Sequence, residues 1–325
     1  MSVAIVGCGL IGKKRAAALK GAQVSACVDQ VQERAVQLAA MCQGASAHTD
    51  WREIMRRDDI KIVIIATLHA SLAEIALAAV EARKHVLIEK PGGRKADELL
   101  PVIAAARESG SLVRIGFNHR YHRAFREARK LVDAGKLGEL MFIRARYGHG
   151  GRIGYDREWR ADPLLSGGGE LIDQGMHLID LARWFLGDFE TVDGFSGTYF
   201  WDMPVDDNGF LLLKTPKKQV AFLHASCTEW KNTFSFEIYG RLGKIDITGL
   251  GGSYGVERMA WYQMLPEMGP PATVIHEFPM ADDSWEVELQ EFLEDIRLKR
   301  QPAAGLLDAH AALHIVGEIY RMSAQ

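Results

Sequence analysis

The rhythm of apolar and polar positions changes once along this chain. In the first third, VAIVG (3–7), VSACVD (24–29), IKIVIIAT (60–67), HVLIEK (85–90) and LVRIGF (112–117) are short, β-branched and almost wholly apolar. That is the texture of strands buried on both faces. Ala-rich segments carrying Lys, Arg and Glu lie between them, at 11–20, 31–42, 70–83 and 94–109, and read as helices. The alternation predicts parallel βαβ units with right-handed crossovers.

After about residue 120 the period shortens. A helix over 121–134 is followed by LMFIRARYG (140–148), TVDGFSGTYF (191–200), GFLLLKT (209–215), QVAFLHASC (219–227), FSFEIYG (234–240) and GKIDITG (243–249). Period-two alternation between Gly-rich turns predicts an antiparallel sheet with one covered face. A helix at about 169–186 interrupts it, and two more, near 283–299 and 305–322, close the chain. The expected architecture is a nucleotide-type α/β domain, residues 1–120, followed by an α+β domain, residues 121–325, with the last helix available to pack back on the first domain.

Composition narrows the class. The chain has 325 residues, 48% hydrophobic and 25% charged, which is ordinary for a globular protein of two domains. A formal net charge of -3 supplies no basic field for nucleic acid. The start, MSVAIVGCGL, lacks the basic segment, long apolar core and cleavage site of a signal peptide. The most apolar stretch, 60–80, is broken by Lys61, His69 and Glu74, so no transmembrane helix is expected. Cysteines at 8, 27, 42 and 227 form no C-x-x-C pair. Reduced thiols in a cytoplasmic protein are expected, with no metal site.

Two motifs carry chemistry. Gly7, Gly9 and Gly12 spell G-x-G-x-x-G between a strand and a helix. Gly7 permits the tight turn, Gly9 lets a pyrophosphate approach the backbone, and Gly12 allows close helix packing. The amides of the helix start, at Leu10 and Ile11, then hold phosphate. Asp29, at the end of the second strand, is spaced to accept from ribose hydroxyls and repels a 2′-phosphate, which favours NAD over NADP. The second motif is GGGELIDQGMHLIDLARW (167–184). On a helix, Glu170, Asp173, His177 and Asp180 form one stripe, and an acid four residues before a histidine can orient it as a proton acceptor. A polar stripe is equally the mark of a solvated helix face. The glycines at 167–169 are expected to leave the helix start open to a ligand.

In this order, the glycine motif, EKP at 89–91 and the 167–184 segment resemble the Gfo/Idh/MocA oxidoreductase family, the glucose–fructose oxidoreductase and inositol dehydrogenase group, over essentially the whole chain. The resemblance implies a Rossmann domain plus an open, mostly antiparallel sheet whose face supports a homodimer or homotetramer. It also implies NAD or NADP as cofactor and a sugar, cyclitol or nucleotide-linked sugar as substrate. By position, the family's catalytic lysine falls on Lys90 and its D-x-x-x-H pair on Asp173 and His177. His177 is then expected as base with Asp173 orienting it, and Lys90 as hydrogen-bond donor to the reacting oxygen; which of Lys90 and His177 takes the proton stays open. Pro91 fixes the strand exit, in the cis form if it is to aim the lysine, and Glu89 is expected to hold the lysine or the cofactor ribose. The family's A-T-P-N-x-x-H loop reads ATLHASL here. Thr67 is kept and His69 stands near the asparagine, so both are expected near the cofactor.

Two further segments bear on substrate. Asn118, His119, Arg120 and Tyr121 in GFNHRYHRAF either line the pocket or cap a helix. Arg152, Tyr155, Arg157, Trp159 and Arg160 lie in the polar loop GHGGRIGYDREWRADP (148–163). Its arginines either grip a diphosphate, with Tyr155 or Trp159 stacking on a base or sugar, or simply solvate the loop. Similarity of EWRADP and SGGGELIDQG to polysaccharide and nucleotide-sugar enzymes of the family implies a UDP-N-acetylhexosamine oxidised at C3. A free-sugar or inositol dehydrogenase, or a family-type NAD-dependent glycosidase, are the alternatives.

Overall fold

A computed structural model describes residues 1–267 and 269–324. The chain forms two compact units, neither continuous in sequence. The first comprises Met1–Phe117, Leu164–Gly167 and Trp285–His314; the second comprises Asn118–Pro163, Gly168–Ser284 and the residues from Ile315 on.

The first unit is built on six parallel strands: β1 (Ser2–Val6), β2 (Gln23–Val28), β3 (Ser46–His48), β4 (Ile62–Ile65), β5 (His85–Ile88) and β6 (Val113–Ile115). Their order is β3-β2-β1-β4-β5-β6, the doubly wound arrangement in which order reverses beside β1. Val3 to Val6 and Ile62 to Ile65 are almost wholly buried, as helices on both faces require. The helix Leu10–Ala18 follows β1 and His69–Glu81 follows β4. Strand β3 has no counterpart in the apolar pattern: Ser-Ala-His at a sheet edge needs no hydrophobic side chains.

The second unit carries eight strands, β7 (Leu140–Gly148), β8 (Thr191–Gly197), β9 (Asn208–Lys214), β10 (Val220–Ser226), β11 (Thr233–Gly240), β12 (Gly243–Thr248), β13 (Glu257–Gln263) and β14 (Ala272–Phe278). The order is β14-β13-β12-β11-β7-β10-β9-β8. Among the described residues of this sheet, only β7 and β10 pair in parallel. One face buries Ile143, Ala145, Leu211, Leu223, Phe236 and Ile247 beneath the helix Met176–Leu186, which packs on β7 and β10. The other face leaves Phe142, Leu212 and Phe222 exposed. Among the described residues no helix is long and apolar enough to cross a membrane.

Candidate active site

In the first unit, the turn after β1 is shaped by what its glycines touch. Gly7 has φ +96, and a Cβ there would lie 2.4 Å from the Ala66 carbonyl oxygen; one on Gly12 would lie 2.0 Å from the Gly7 oxygen. A Cβ on Gly9 would meet nothing within 4 Å. Two glycines close the turn against the protein, and the third leaves open space above the backbone. No side chain caps the helix that starts at Leu10, and Leu10 itself is 71% exposed. Its first amides are therefore available to an anion. The Asp29 carboxylate is turned toward this loop, with Oδ2 accepting from the Cys8 N–H at 2.9 Å and Oδ1 from the Val31 N–H at 2.9 Å. Open space at Gly9, free amides and a fixed acid fit a dinucleotide.

The ends of β4 and β5 supply the remaining predicted cofactor residues. Thr67 Oγ1 accepts from Ser71 Oγ at 2.9 Å, and His69 Nδ1 lies 2.8 Å from the Ser166 carbonyl oxygen. Glu89 is bound into a buried ionic network: its Oε1 accepts from Arg15 Nε at 2.6 Å, and Arg15 also donates to Glu288 Oε2 at 2.5 Å. Arg15 is wholly buried and its guanidinium lies 4.4 Å from the Trp285 ring centre. Burial pushes the Glu288 carboxyl up against the pull of Arg15. Lys90 follows directly, partly exposed, joined to Pro91 by a cis peptide. Arg15 had no signal in the sequence, where it sits in an ordinary helical run, LIGKKRAAA.

In the second unit, the predicted helix has two parts. A π-helical turn, Leu171–Gly175, leads into the α-helix Met176–Leu186. Asp173 lies within this wider turn, and His177 is the second residue of the α-helix that follows. The stripe is not a solvated face. Glu170 is 1% exposed, Asp173 7%, His177 4% and Asp180 1%. Buried charge needs partners, and the structure supplies them. Asp180 accepts from Arg120 twice, at 2.8 and 2.5 Å. Asp173 Oδ2 accepts from Arg160 Nε at 2.8 Å. Glu170 Oε2 accepts from the Tyr155 hydroxyl at 3.4 Å, and Oε1 lies 3.6 Å from His149 Nε2. Burial raises the Glu170 carboxyl, opposed by His149. Burial would lower the His149 imidazole, but Glu170 raises it overall. The His177 ring lies parallel to that of His119, centroids 3.6 Å apart.

Several expectations change here. The helix start is closed, because Asp206 accepts from the Gly169 and Leu171 amides at 2.8 Å each. A Cβ on Gly169 would lie 1.9 Å from the Asp206 carbonyl oxygen, so this glycine serves close packing. Arg120 holds Asp180, and Asn118 Nδ2 donates to Ser284 Oγ at 3.0 Å. In the 148–163 loop the arginines have carboxylates beside them: Arg152 with Glu158 at 2.5 Å, Arg157 with Asp156 at 3.7 Å, and Arg160 with Asp173. Trp159 lies under the Arg160 guanidinium, 4.7 Å away. Tyr155 is buried against His149 and Trp201, centroids 5.5 and 5.6 Å apart. The sequence pattern did not single out Tyr147 or His149, because single aromatic residues in strands and loops are common.

A doubly wound unit with an open glycine turn and, in the same chain, a sheet unit bearing buried acids and an imidazole fit the two-domain plan of dinucleotide-binding oxidoreductases. The chain belongs to the Gfo/Idh/MocA family: residues 1–117 match the oxidoreductase family's NAD-binding Rossmann fold and residues 125–246 its C-terminal domain. It is 32% identical over 171 residues to levoglucosan dehydrogenase of Pseudarthrobacter phenanthrenivorans, covering 50% of this chain and 42% of that enzyme. It is 31% identical over 192 residues to inositol 2-dehydrogenase 2 of Saccharopolyspora erythraea, covering 58% and 54%. These matches thus span about half of each relative. The fold superimposes on levoglucosan dehydrogenase in complex with NADH and levoglucosan with a TM-score of 0.89, at 23% identity, covering 100% of this chain and 97% of that one.

Proposed function

We propose that this protein is an NAD-dependent dehydrogenase that oxidises a secondary hydroxyl of a free sugar, anhydrosugar or cyclitol. The observation that carries the reading is a dinucleotide turn and Lys90 in the same chain as a buried Asp173–His177 pair. The Rossmann match supports NAD, and Asp29 supports it over NADP. When bound, NAD supplies the hydride acceptor. Lys90 donates a hydrogen bond to the reacting oxygen and stabilises developing alkoxide charge. His177 accepts the hydroxyl proton, and Asp173, fixed by Arg160, keeps the imidazole oriented. Thr67, His69, Leu10 and Ile11 contribute contacts to the cofactor, while Asn118, Tyr155 and Trp159 shape the substrate side.

The pairing of the loop arginines with carboxylates speaks against a diphosphate grip, and the named relatives act on an anhydrosugar and an inositol. Both favour an unactivated polyol over the UDP-sugar expected from the loop's texture. The open face of the second sheet supports self-association as a homodimer or homotetramer. The test is NADH formation with a panel of free sugars, anhydrosugars, inositols and UDP-sugars. A polyol is expected to turn over, with UDP neither inhibiting nor raising the Tm. Turnover confined to UDP-sugars would overturn the substrate class. His177→Ala and Lys90→Ala are each expected to lower kcat by about 10²–10⁴-fold; wild-type turnover in both would sink the assignment.

A further inference from the structure

We propose that His119 is a positioning residue for His177, and that the two stacked rings act as one unit holding a single proton. The catalytic half of this inference rests on the function proposed above; the proton-sharing half does not.

The geometry is specific. The ring centroids are 3.6 Å apart with planes inclined by 16°, and the two residues are 6% and 4% exposed. His119 is itself fixed. Its Nδ1 lies 3.2 Å from Asn118 Oδ1, while Asn118 Nδ2 donates to Ser284 Oγ. With the amide so oriented, Oδ1 is the acceptor and His119 Nδ1 carries the hydrogen. Tyr147 of β7 and Phe234 of β11 flank the ring, at 5.3 and 6.4 Å between centroids. His119 is therefore a plate held at its edges, against which the His177 ring lies flat.

Two consequences follow. The terminal torsion of a histidine is broad, so a fixed plate narrows the ring orientations from which His177 can reach a hydroxyl proton. Two imidazolium charges at this separation also repel strongly even in a polarisable protein interior. When His177 takes a proton, a neutral His119 offers its π face to the cation; a protonated His119 would block that step. The groups facing the pair do not relieve the repulsion equally. Tyr147 stays a neutral phenol because burial holds it well above its ordinary range, with Tyr254 acting in the same direction. His122 stands edge-on to His119 at 5.4 Å, with Glu257 3.0 Å and Asp282 3.6 Å from its Nδ1. Asp173, on the helix of His177, has Arg160 as its counter-charge.

The test begins without substrate. In protein carrying ring-¹³C histidine, NMR titration is expected to show the two rings taking up one proton between them, with a shared midpoint, and no second proton while the fold persists. In His119→Phe, which keeps a ring in the stack, His177 should titrate alone as a simple one-proton step. Two complete, independent protonations in the wild type, unchanged at His177 in His119→Phe, would overturn the shared proton. With an oxidised polyol in hand, His119→Ala should lower kcat by about tenfold or more with KM within about twofold, and His119→Phe should recover most of kcat. Wild-type kcat in His119→Ala would overturn the positioning role. If no polyol is oxidised by the wild type, the dehydrogenase reading fails and the titration alone decides the pair.

Discussion

Glycines 7, 9 and 12 differ in what an added methyl group would meet, and the difference separates stability from cofactor affinity. At Gly9 the space is empty and the backbone φ is an ordinary -71. Gly9→Ala is expected to leave the Tm essentially unchanged while weakening NAD binding by about tenfold or more, since the methyl occupies the space kept for phosphate. Gly7→Ala should lose both. Its left-handed backbone costs about 1–2 kcal/mol for an L side chain, and its Cβ would strike the Ala66 carbonyl. Thermal unfolding with and without NAD checks both variants; equal destabilisation of the two would refute the distinction. Asp29 is a second residue whose role can be isolated. Asp29→Ala should weaken NAD while narrowing its advantage over NADP, measured as a ratio of the two Kd values. An unchanged ratio would mean that the carboxylate does not face the ribose.

The elements divide by how strongly burial wrote them into the pattern. Strands β1, β2, β4, β5 and β6 were legible because most of their positions are buried on both faces and apolar, with the buried Arg114 of β6 as the charged exception. Strands β3 and β14 lie at sheet edges, where one neighbour suffices and Ser46, His48, Thr273 and Glu277 cost nothing. The helix carrying Asp173 and His177 was legible as a helix, but its π-helical turn was not, because one extra residue per turn leaves no trace in composition. Of the candidate site, the glycine turn, Asp29 and the four-residue step from Asp173 to His177 could be proposed from spacing, whereas Lys90 and the catalytic roles come from the family resemblance. The cationic partners of Glu89, Asp173 and Asp180 could not be read in this way: Arg15 looks like a surface cation of an ordinary helix, and Arg120 and Arg160, candidates for the substrate side, instead hold Asp180 and Asp173. Arg15 is the sharpest case. It lies between Glu89 and Glu288, 74 and 273 residues away, and ties the last turn of the Leu10–Ala18 helix to the strand end that bears Lys90. Arg15→Met should leave two buried carboxylates without their cation and cost about 3–5 kcal/mol of unfolding free energy, read by denaturant titration. A loss below about 1 kcal/mol would show that the network is dispensable.

For the molecule as a whole, the open face of the second sheet is where acid stability and self-association can both be tested. Phe142 stacks on Tyr239, ring centroids 4.2 Å apart, and Leu212 and Phe222 stand beside them, 48% and 47% exposed. Through them runs an ionic cluster in which Glu237 accepts from Arg144, Lys244 and Tyr239. Burial alone would raise the Glu237 carboxyl, yet these donors hold it down to about 2. A carboxylate depressed in the folded state adds stability above its unfolded pKa, roughly 4.3, which is lost as pH falls toward 2. Glu237→Gln should therefore flatten the fall in stability between about pH 5 and 2 and remove about 1–3 kcal/mol at neutral pH. Apolar side chains this exposed on one continuous sheet face favour burial against a second copy. A partner laid on the face would also shield the cluster from salt. Phe222→Asp places a charge at the centre of the apolar row without touching the buried face, where Ala221 and Leu223 point. Light scattering is expected to give an oligomer for the wild type and a smaller species for Phe222→Asp, with NAD binding unchanged. A wild type that stays monomeric at micromolar concentration would refute self-association through this face, and would leave the exposed phenylalanines to be explained by a different partner.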